Sequence, residues 1–432
     1  MGAGWNDVTT ASAPPGIYRW YVLAVLTLAQ TCHGIDRAII GLVLKPLGAE
    51  FSMSGTQLGL LAGVAYGVPF AIAAIPFGYA VDRMNRTALM TFALAAWSGA
   101  TALCGAATGF WTLAAGRAAV GVAEAGGSPT GMSLLSDYFG TDWRATAIGI
   151  WYLSAGVGFA LAFFAGGWIV AEHGWRWAFV AAGVPGLILA PLLYFTVREP
   201  VRGRQDAPQE HGDHALRARL GMLFARPGMA YAIAAITCIA TGIYGMSTWL
   251  ATFLVDSHGF GLPQAGLVVA IAYGILGSVG GLTVGWGSDR INASRGGFDP
   301  ANTALLASAI PVLTAIAGLL AVSAGSATIA VACLMAAGML SASYNGPVYA
   351  VIVTIAGPHL RGLAVSAIQM SANLIGVGLG AWLIGMISDQ VGGKDGVAWG
   401  IGAAMLFCIA GGVLLLLASR AIRRHDATPH HA

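Results

Sequence analysis

The segment QLGLLAGVAYGVPFAIAAIPFGYAVDR, residues 57–83, has a second copy 207 positions later, QAGLVVAIAYGILGSVGGLTVGWGSDR, residues 264–290. Nine positions are identical in the two copies, and they include a Tyr-Gly pair and an Asp-Arg pair in the same register. Shared apolar composition explains single matches, but it does not explain two polar pairs at the same spacing. The sequence therefore predicts two halves that repeat the same order of helices.

The composition places this repeat in a lipid bilayer. Of the 432 residues, 57% are hydrophobic and only 9% are charged, against about 25% charged residues in an ordinary soluble domain. Apolar runs of about twenty residues, long enough to span a bilayer as a helix, occur twelve times. Their approximate extents are 18–44, 56–80, 88–108, 111–137, 143–170, 175–197, 227–255, 263–288, 301–323, 326–355, 360–387 and 397–420. We therefore predict an all-α polytopic membrane protein with twelve transmembrane helices in two six-helix bundles.

One long polar segment divides the chain between the sixth and the seventh of these runs. The predicted parts are a cytoplasmic N-terminal segment at 1–17, an N-terminal bundle at 18–197, a cytoplasmic linker at 198–226, a C-terminal bundle at 227–420 and a cytoplasmic tail at 421–432. Within the linker, Leu216, Leu220 and Leu223 fall on one helical face, which indicates an amphipathic helix on the inner membrane surface. The linker is expected to tether the halves.

Basic residues set the expected orientation in the membrane. With a cytoplasmic N-terminus, the predicted inner side carries sixteen of them and the outer side three. The inner ones are Arg19, Arg83, Arg86, Arg144, Arg198, Arg202, Arg204, Arg217, Arg219, Arg226, Arg290, Arg295, Arg361, Arg420, Arg423 and Arg424, and the outer ones are Lys45, Arg176 and Lys394. Because cytoplasmic loops retain Lys and Arg, both termini are predicted to be cytoplasmic in the cell (inner) membrane. The polar start through Gly16 also lacks the pattern of a removable signal peptide.

Four ionisable residues lie inside predicted spans: Asp36 and Arg37 in the first, and Arg117 and Glu124 in the fourth. A charge at bilayer depth is costly unless it is paired or hydrated, so such residues usually belong to a functional polar path. Arg117 and Glu124 are seven positions apart and share one helical face, and a contact between Asp36 and Arg117 is expected from their similar depth. Adjacent residues on a helix point about 100° apart, so Asp36 and Arg37 should face different partners.

Two roles suit these four side chains. Asp36 and Glu124 are candidate proton carriers, because a carboxyl group can gain or lose a proton as the cavity around it opens, closes or fills. Arg37 and Arg117 are candidate counter-ions or anion anchors, because a guanidinium stays charged and offers a fork of donors to a carboxylate or phosphate. A static ion pair that only fixes helix packing is the alternative reading, and a sodium ion could take the place of the proton.

Further polar residues are candidates for the wall of a cavity. Tyr344 and Asn345 join the four charged residues as candidate substrate-binding side chains, although hydrogen bonding between helices would also explain them. His33 lies within one turn of Asp36, where it either bonds a backbone group or tunes the acid. The five cysteines lack metal-ligand or paired spacing, so we expect neither a metal site nor a cofactor.

The two copies of the repeat end in a recognisable motif, GYAVDRMNR at 78–86 and GWGSDR at 285–290. Both resemble the G-x-x-x-D-R-x-x-R signature of the major facilitator superfamily, and the second copy lacks the last arginine. This resemblance implies a loop that locks the halves together on the cytoplasmic side in the outward-facing state. The implied gating residues are Gly78, Asp82, Arg83, Arg86, Asp289 and Arg290. Charge balance at the membrane surface is the alternative explanation for them.

A narrower resemblance involves the ionisable residues themselves. The Asp36-Arg37 pair and the run GRAAVGVAEA at 116–125 are similar to the spinster branch of that superfamily, a group of sphingolipid- and lysolipid-transporter-like proteins. The chain departs from the pattern of that branch at His33, Gly34 and Ala123. An Asp-Arg pair in the first span also occurs in organic-anion symporters of the superfamily, so both substrate classes remain open.

The expected function is secondary active transport, coupled to protons, of an amphipathic, zwitterionic or anionic lipid-like solute by alternating access. The alternative is a proton- or sodium-coupled symporter of small organic anions. An enzyme is not expected, because the sequence has no nucleophile elbow, zinc-ligand spacing or G-x-x-x-x-G-K-[ST] nucleotide cradle. The two-half repeat disfavours a channel. We expect a monomer in the bilayer, with no nucleic-acid partner.

Overall fold

The computed structural model describes residues 16–202, 216–357 and 359–426, and these residues form helices and turns without any strand. Most of the predicted N-terminal segment, residues 203–215 of the linker and the end of the tail lie outside the described residues. The helices are α1 (Gly16–Phe51), α2 (Gly55–Ala62), α3 (Val64–Arg83), α4 (Arg86–Cys104), α5 (Phe110–Glu124), α6 (Gly127–Tyr138), α7 (Thr141–His173), α8 (Trp175–Thr196), α9 (Leu216–Phe224), α10 (Met229–His258), α11 (Leu262–Val269), α12 (Gly277–Ser294), α13 (Pro300–Ala307), α14 (Ala309–Ser323), α15 (Ala327–Ser341), α16 (Asn345–Ala356), α17 (Arg361–Ser371), α18 (Gly378–Val391) and α19 (Gly396–Asp426). Two π-helical segments, Ala270–Leu276 and Ala372–Val377, precede α12 and α18.

Length and apolar composition account for most of this architecture. In the described ranges, 10 helical segments are long and apolar enough to cross a membrane. The other two predicted spans are α1, which carries Asp36 and Arg37, and the pair α5 and α6, with 15 and 12 residues. These two spans are the ones that hold Asp36, Arg37, Arg117 and Glu124. The predicted all-α, multi-pass, two-bundle fold is confirmed.

Hydropathy did not predict where spans are interrupted. The fourth span, expected to be continuous from 111 to 137, breaks at Ala125 and Gly126 between α5 and α6. A Cβ on Gly126 would lie 2.5 Å from the ring of Phe77, so the break brings the backbone close to α3. The π-helical segments interrupt the eighth and eleventh spans, and wider turns of this kind are frequent at functional sites.

Local sequence explains where several helices begin and end. Ser54 caps α2, and Gln57 completes a capping box by bonding back to the Ser54 main chain. Asn85 caps α4 by accepting a hydrogen bond from a main-chain N–H of its first turn. Gly228 before α10 and Gly259 after it have left-handed backbone, which glycine adopts without strain. Two of these capped helices, α2 and α10, carry part of the interface between the halves.

Helices α1–α8 form the N-terminal half and α10–α19 form the C-terminal half. The halves meet along α2 and α18, α1 and α10, and α7 and α11. One end of this interface, here called the closed end, is defined by Lys45, Gly55, Asp256, Gly385 and Asp389. There Lys45 and Asp256 form an ion pair across the halves. Asp389 accepts hydrogen bonds of 2.6 and 2.7 Å from the first main-chain N–H groups of α2, where a carboxylate also complements the helix dipole.

Glycines let the two backbones touch between α2 and α18. A Cβ on Gly59 would lie 2.5 Å from the main-chain oxygen of Ala381, and one on Gly63 would lie 2.4 Å from that of Gly378. Small residues at helix interfaces in membranes permit such close approach and the dispersion contacts that come with it. The closed end is therefore packed backbone against backbone.

The opposite end of the interface, here called the open end, is defined by Gly78, Asp82, Gly285 and Asp289. Both aspartates are exposed, and a Cβ on either glycine would have no neighbouring atom within 4 Å. Helix α1 has 36 residues, and Lys45 of the closed end lies near its C-terminus. The N-terminus of α1 therefore lies on the side of the open end. The halves are thus joined at one end and apart at the other.

Gly385→Ala is expected to weaken the closed end, because its Cβ would lie 2.0 Å from the main-chain oxygen of Gly55. Overpacking of this kind costs about 1–3 kcal/mol, so the population with this end closed should fall severalfold. The measurement is cross-linking by a short bismaleimide between Lys45→Cys and Asp256→Cys, in a background in which the native cysteines are replaced.

Gly402→Ala is the matched control, since its Cβ would meet only a side-chain atom of Leu319 at 3.8 Å. The cross-linking yield of this variant should equal that of the parent. Equal losses of yield in the Gly385 and Gly402 variants would contradict a closed end built on backbone contact.

Candidate substrate and coupling site

Two carboxyl groups are completely buried inside the N-terminal half: Asp36 on α1 and Glu124 at the end of α5, each with 0% of its surface exposed. Glu124 Oε2 accepts a hydrogen bond of 2.6 Å from the Tyr66 hydroxyl and lies 3.6 Å from His33 Nδ1. Glu124 Oε1 has no hydrogen-bond partner within the described residues. One oxygen of this carboxyl group is thus held, and the other is available to a proton or a further donor.

Asp36 has charged neighbours of both signs, Arg117 and Glu124, and its carboxyl group faces the polar groups of Thr101 and Trp97. Neither of its oxygens makes a hydrogen bond of good geometry in the described part of the chain. Arg117, which is 1% exposed, donates instead to the main-chain oxygen of Asp36 at 3.4 Å. The structure therefore places Arg117 beside Asp36, but the contact runs through the backbone of α1.

Arg37 points away from these two carboxyl groups and toward the C-terminal half. Its Nη2 donates a hydrogen bond of 2.6 Å to Asn373 Oδ1. Its guanidinium carbon lies 5.5 Å from the ring centroid of Tyr66 and 5.1 Å from that of Tyr244, within the range of cation–π attraction. Asp36 and Arg37 thus have different surroundings, as neighbouring positions on one helix require.

Tyr66 on α3 connects the two groups of charges. Its hydroxyl is bonded to Glu124, and its ring lies near both Arg37 and Arg117, with a distance of 5.0 Å to the Arg117 guanidinium carbon. Sequence reasoning used Tyr66 only as a marker of the repeat and did not place it in the site. The Tyr-Gly pair retained in both copies was the available signal. Its counterpart Tyr273 has a hydroxyl without a hydrogen-bond partner in the described residues.

The two uncharged candidates from the sequence lie in the C-terminal half. Tyr344 is 5% exposed and has Tyr244 and Tyr349 as neighbours, and the Tyr349 hydroxyl donates to Gln369 Oε1 at 3.2 Å. Asn345 is exposed at the start of α16. Among the described hydrogen bonds, none joins either candidate to the four charged residues. Tyr344 belongs to a group of tyrosines of which Tyr244 lies near Arg37, and no described contact joins Asn345 to the charged residues.

Four of the candidate gating residues at the open end, Asp82, Arg83, Asp289 and Arg290, are exposed, and no described hydrogen bond or ion pair joins them to the other half. The Arg83 guanidinium carbon lies 3.5 Å from the ring centroid of Tyr79, and that of Arg290 lies 4.3 Å from Trp286. Each of these contacts stays within one helix. The arrangement agrees with separated halves at this end, and closure of the open end by these residues stays a prediction.

Arg86 differs from the other residues of the motif, because it is buried with 2% of its surface exposed. It forms ion pairs with Asp137 and Glu199, the latter at 2.7 Å, and donates to Ser133 Oγ at 2.9 Å. Asp137 and Ser133 belong to the N-terminal half, and Glu199 belongs to the beginning of the linker. Arg86 therefore fastens the beginning of the linker to the bundle.

The chemistry of the site follows from these placements. Within residues 16–202, 216–357 and 359–426, no group of three His, Cys, Asp or Glu is arranged to hold a metal ion. The carboxyl groups can exchange protons in surroundings poor in water, and the guanidinium at the interface can hold an anion. Fold and site together define a class of protein: a multi-pass integral membrane protein whose two bundles enclose a charged site.

The chain belongs to the Major Facilitator Superfamily, whose family model matches residues 26–381. It is therefore a transporter of that superfamily, and the resemblance read from the motifs at 78–86 and 285–290 is confirmed.

Relatives of the chain include an efflux pump as well as members of both groups that the sequence suggested. It is 26% identical to an MFS-type efflux pump of Mycolicibacterium smegmatis over 94% of each chain. It is 25% identical to a gallate transporter of Pseudomonas putida, over 94% of this chain and 91% of that protein. It is 28% identical to protein spinster homolog 1 of Homo sapiens, over 86% of this chain and 73% of that protein.

A crystal structure of a bacterial homolog to the human lysosomal transporter spinster, in an inward-facing and unoccupied conformation, superposes with a TM-score of 0.84. The two chains are 26% identical, and the match covers 96% of this chain and 100% of that one. The predicted resemblance to the spinster branch is thus confirmed.

Tyr66→Phe is expected to lower stability, because it removes the hydrogen bond to the buried Glu124. Hydrogen bonds inside membrane proteins contribute about 0.5–2 kcal/mol, which corresponds to a fall of roughly 1–4 °C in unfolding midpoint. The measurement is thermal unfolding of the purified protein in detergent. Tyr273→Phe is the matched control, since the Tyr273 hydroxyl has no partner to lose in the described residues. An equal fall in both variants would refute the assigned role of the Tyr66 hydroxyl.

Proposed function

We propose that this transporter couples proton movement to the transport of a solute with an anionic head, which Arg37 holds at the interface of the halves. The observation that supports this most directly is that two fully buried carboxyl groups, Asp36 and Glu124, lie in the N-terminal half close to Arg37. The Arg37 guanidinium in turn bonds a residue of the opposite half. A buried charge pair with only a structural role would not need a guanidinium turned toward the interface.

Glu124 is the proposed proton carrier of first choice. Its Oε2 is held by the Tyr66 hydroxyl, while its Oε1 has no hydrogen-bond partner within the described residues and is the atom that would take the proton. Glu124 also acts electrostatically on Arg37. Protonation of Glu124 would remove a negative charge from the surroundings of Arg37 and strengthen its attraction for an anion. Proton and anion would therefore bind cooperatively. Asp36 is the second candidate carrier.

The body of the solute would contact the C-terminal half. That side of the interface presents Tyr244, Tyr344 and Tyr349, whose rings suit an apolar body and whose hydroxyls suit a polar one. An amphipathic, zwitterionic or anionic lipid-like solute accords with this wall and with the similarity to spinster proteins. A small organic anion is the alternative, favoured by the Tyr349–Gln369 pair as a polar contact and by the similarity to a gallate transporter.

Alternating access would exchange the closed end and the open end. In the predicted orientation the open end is cytoplasmic, so the present arrangement is inward-facing. The reverse arrangement requires the closed end to separate at Lys45, Asp256 and Asp389. The motif residues Gly78, Asp82, Arg83, Asp289 and Arg290 would then close the cytoplasmic side, with the guanidinium groups leaving their present aromatic partners.

Acidification inside proteoliposomes tests this proposal. A pH-sensitive dye would be enclosed, and lysophosphatidylglycerol, sphingosine, gallate and a hexuronate would be added separately outside. One class should acidify the interior with wild-type protein, and Glu124→Gln should abolish this gradient-driven flux while exchange of labelled solute continues. The class that acts decides between the lipid-like solute and the small organic anion.

Glu172→Gln provides the matched control, because Glu172 is an exposed glutamate near the end of α7. This variant should acidify the vesicles as the wild type does, and protein-free vesicles should not respond. Uptake of labelled solute without any pH change would overturn proton coupling. Equal loss of gradient-driven flux and of exchange in a folded Glu124→Gln protein would reject a pure coupling role for Glu124.

A further inference from the structure

We infer that Asn373 is a positioning residue for Arg37 and competes with the solute for it: the Asn373 amide oxygen occupies the donor of Arg37 that an anionic head would take. The inference rests on the proposed role of Arg37 as anion anchor. According to this inference, Asn373, an uncharged residue of the C-terminal half, controls whether Arg37 of the N-terminal half is free to bind an anion.

The hydrogen bonds around Asn373 fix the orientation of its amide from both sides. Arg37 can only donate, so its Nη2 must meet the oxygen of the amide, at 2.6 Å. The nitrogen Nδ2 donates in turn to the main-chain oxygen of Gln369 at 2.8 Å. Both contacts demand the same assignment of oxygen and nitrogen. Asn373 is 5% exposed, so its side chain has little freedom to turn away.

An anion would be a better partner for Arg37 than this amide. The neutral oxygen engages Nη2 alone, and Arg37 Nε has no partner within the described residues. A carboxylate or phosphate accepts two parallel hydrogen bonds from Nε and one Nη, and such charge-assisted pairs are stronger than a bond to a neutral amide. Exchange of the amide for an anion therefore adds a hydrogen bond and a charge interaction.

The position of Asn373 makes this exchange a contact between the halves. The residue lies in the π-helical segment Ala372–Val377, where the backbone approaches α3 so closely that a Cβ on Gly67 would lie 2.8 Å from the Asn373 main-chain oxygen. The bond from Arg37 consequently ties α1 of one half to the eleventh span of the other. An anion that takes Arg37 releases this tie, so binding of the head frees the halves to move relative to one another.

Labelling of Arg37 by phenylglyoxal tests the inference without any solute. The purified full-length protein would be treated with this arginine-specific reagent, and the rate at Arg37 would be read from its peptide by mass spectrometry. Asn373→Ala should speed labelling at least about threefold, because a hydrogen bond to a charged group is lost. Asn373→Asp should slow it, because a carboxylate pairs more strongly with the guanidinium. Asn373→Gln, which retains an amide oxygen, should remain closest to the wild type.

Asn292→Ala is the matched control, since Asn292 is a buried asparagine of the same half whose amide bonds Ser288 and Thr303 away from Arg37. Its Arg37 labelling should equal that of the wild type, as should labelling of the exposed Arg83 in every variant. The inference is overturned if Asn373→Ala and Asn373→Asp leave the rate at Arg37 unchanged. It is also overturned if both raise the rate equally, which would indicate only a looser structure.

Protection by lysophosphatidylglycerol and by inorganic phosphate gives the second readout. Where either anion slows labelling of Arg37, the anion concentration that halves the labelling rate should be lower in Asn373→Ala than in the wild type and higher in Asn373→Asp. A packing defect would not shift this concentration in opposite directions. Shifts in the same direction would contradict competition. Retention of solute transport by Arg37→Gln would instead refute the anchor role in the proposed function, and the labelling result would stand independently of it.

Discussion

The constraint that organises this protein is the cost of ionised side chains in a low-dielectric interior. Two acids and two bases lie in the first and fourth spans, and each one restricts its neighbours. Glu124 requires the hydroxyl of Tyr66, and Arg117 requires the backbone of α1. Arg37 turns to the other half, where it finds an amide and a tyrosine ring. The charged residues therefore determine which faces of α1, α3 and α5 turn inward.

The two halves share an architecture but not a chemistry. Tyr66 and Tyr273 occupy equivalent positions in the repeat, yet only Tyr66 has a hydrogen-bond partner in the described residues. The C-terminal half supplies amides and tyrosines where the N-terminal half supplies charges. In the proposed function, the N-terminal half would hold the charged head of the solute and the C-terminal half would contact its uncharged body.

The sequence predicted the features that depend on local pattern, and the structure added those that depend on distance between halves. Apolar runs and the repeated Asp-Arg pairs were sufficient for twelve spans in two bundles, because bilayer thickness dictates helix length. Hydropathy does not predict the break at Gly126 or the two π-helical segments, because the residues there are as apolar as their neighbours. The partnership of Arg37 with Asn373 joins residues 336 positions apart, and no periodicity within one helix can reveal it. Tyr66 was visible as a repeated residue, but its hydroxyl partner was not.

The glycines of the closed end also have a genetic consequence. Every single-base change in a glycine codon that alters the amino acid introduces a side chain or a stop signal, so these positions have no conservative replacement. Gly59, Gly63 and Gly385 each face a main-chain oxygen at 2.5 Å or less from where a Cβ would be, and a backbone cannot retreat as a flexible side chain can. Missense variation at these glycines of the closed end should consequently be tolerated far less than at Gly78 and Gly285 of the open end, where a Cβ would have no neighbouring atom within 4 Å.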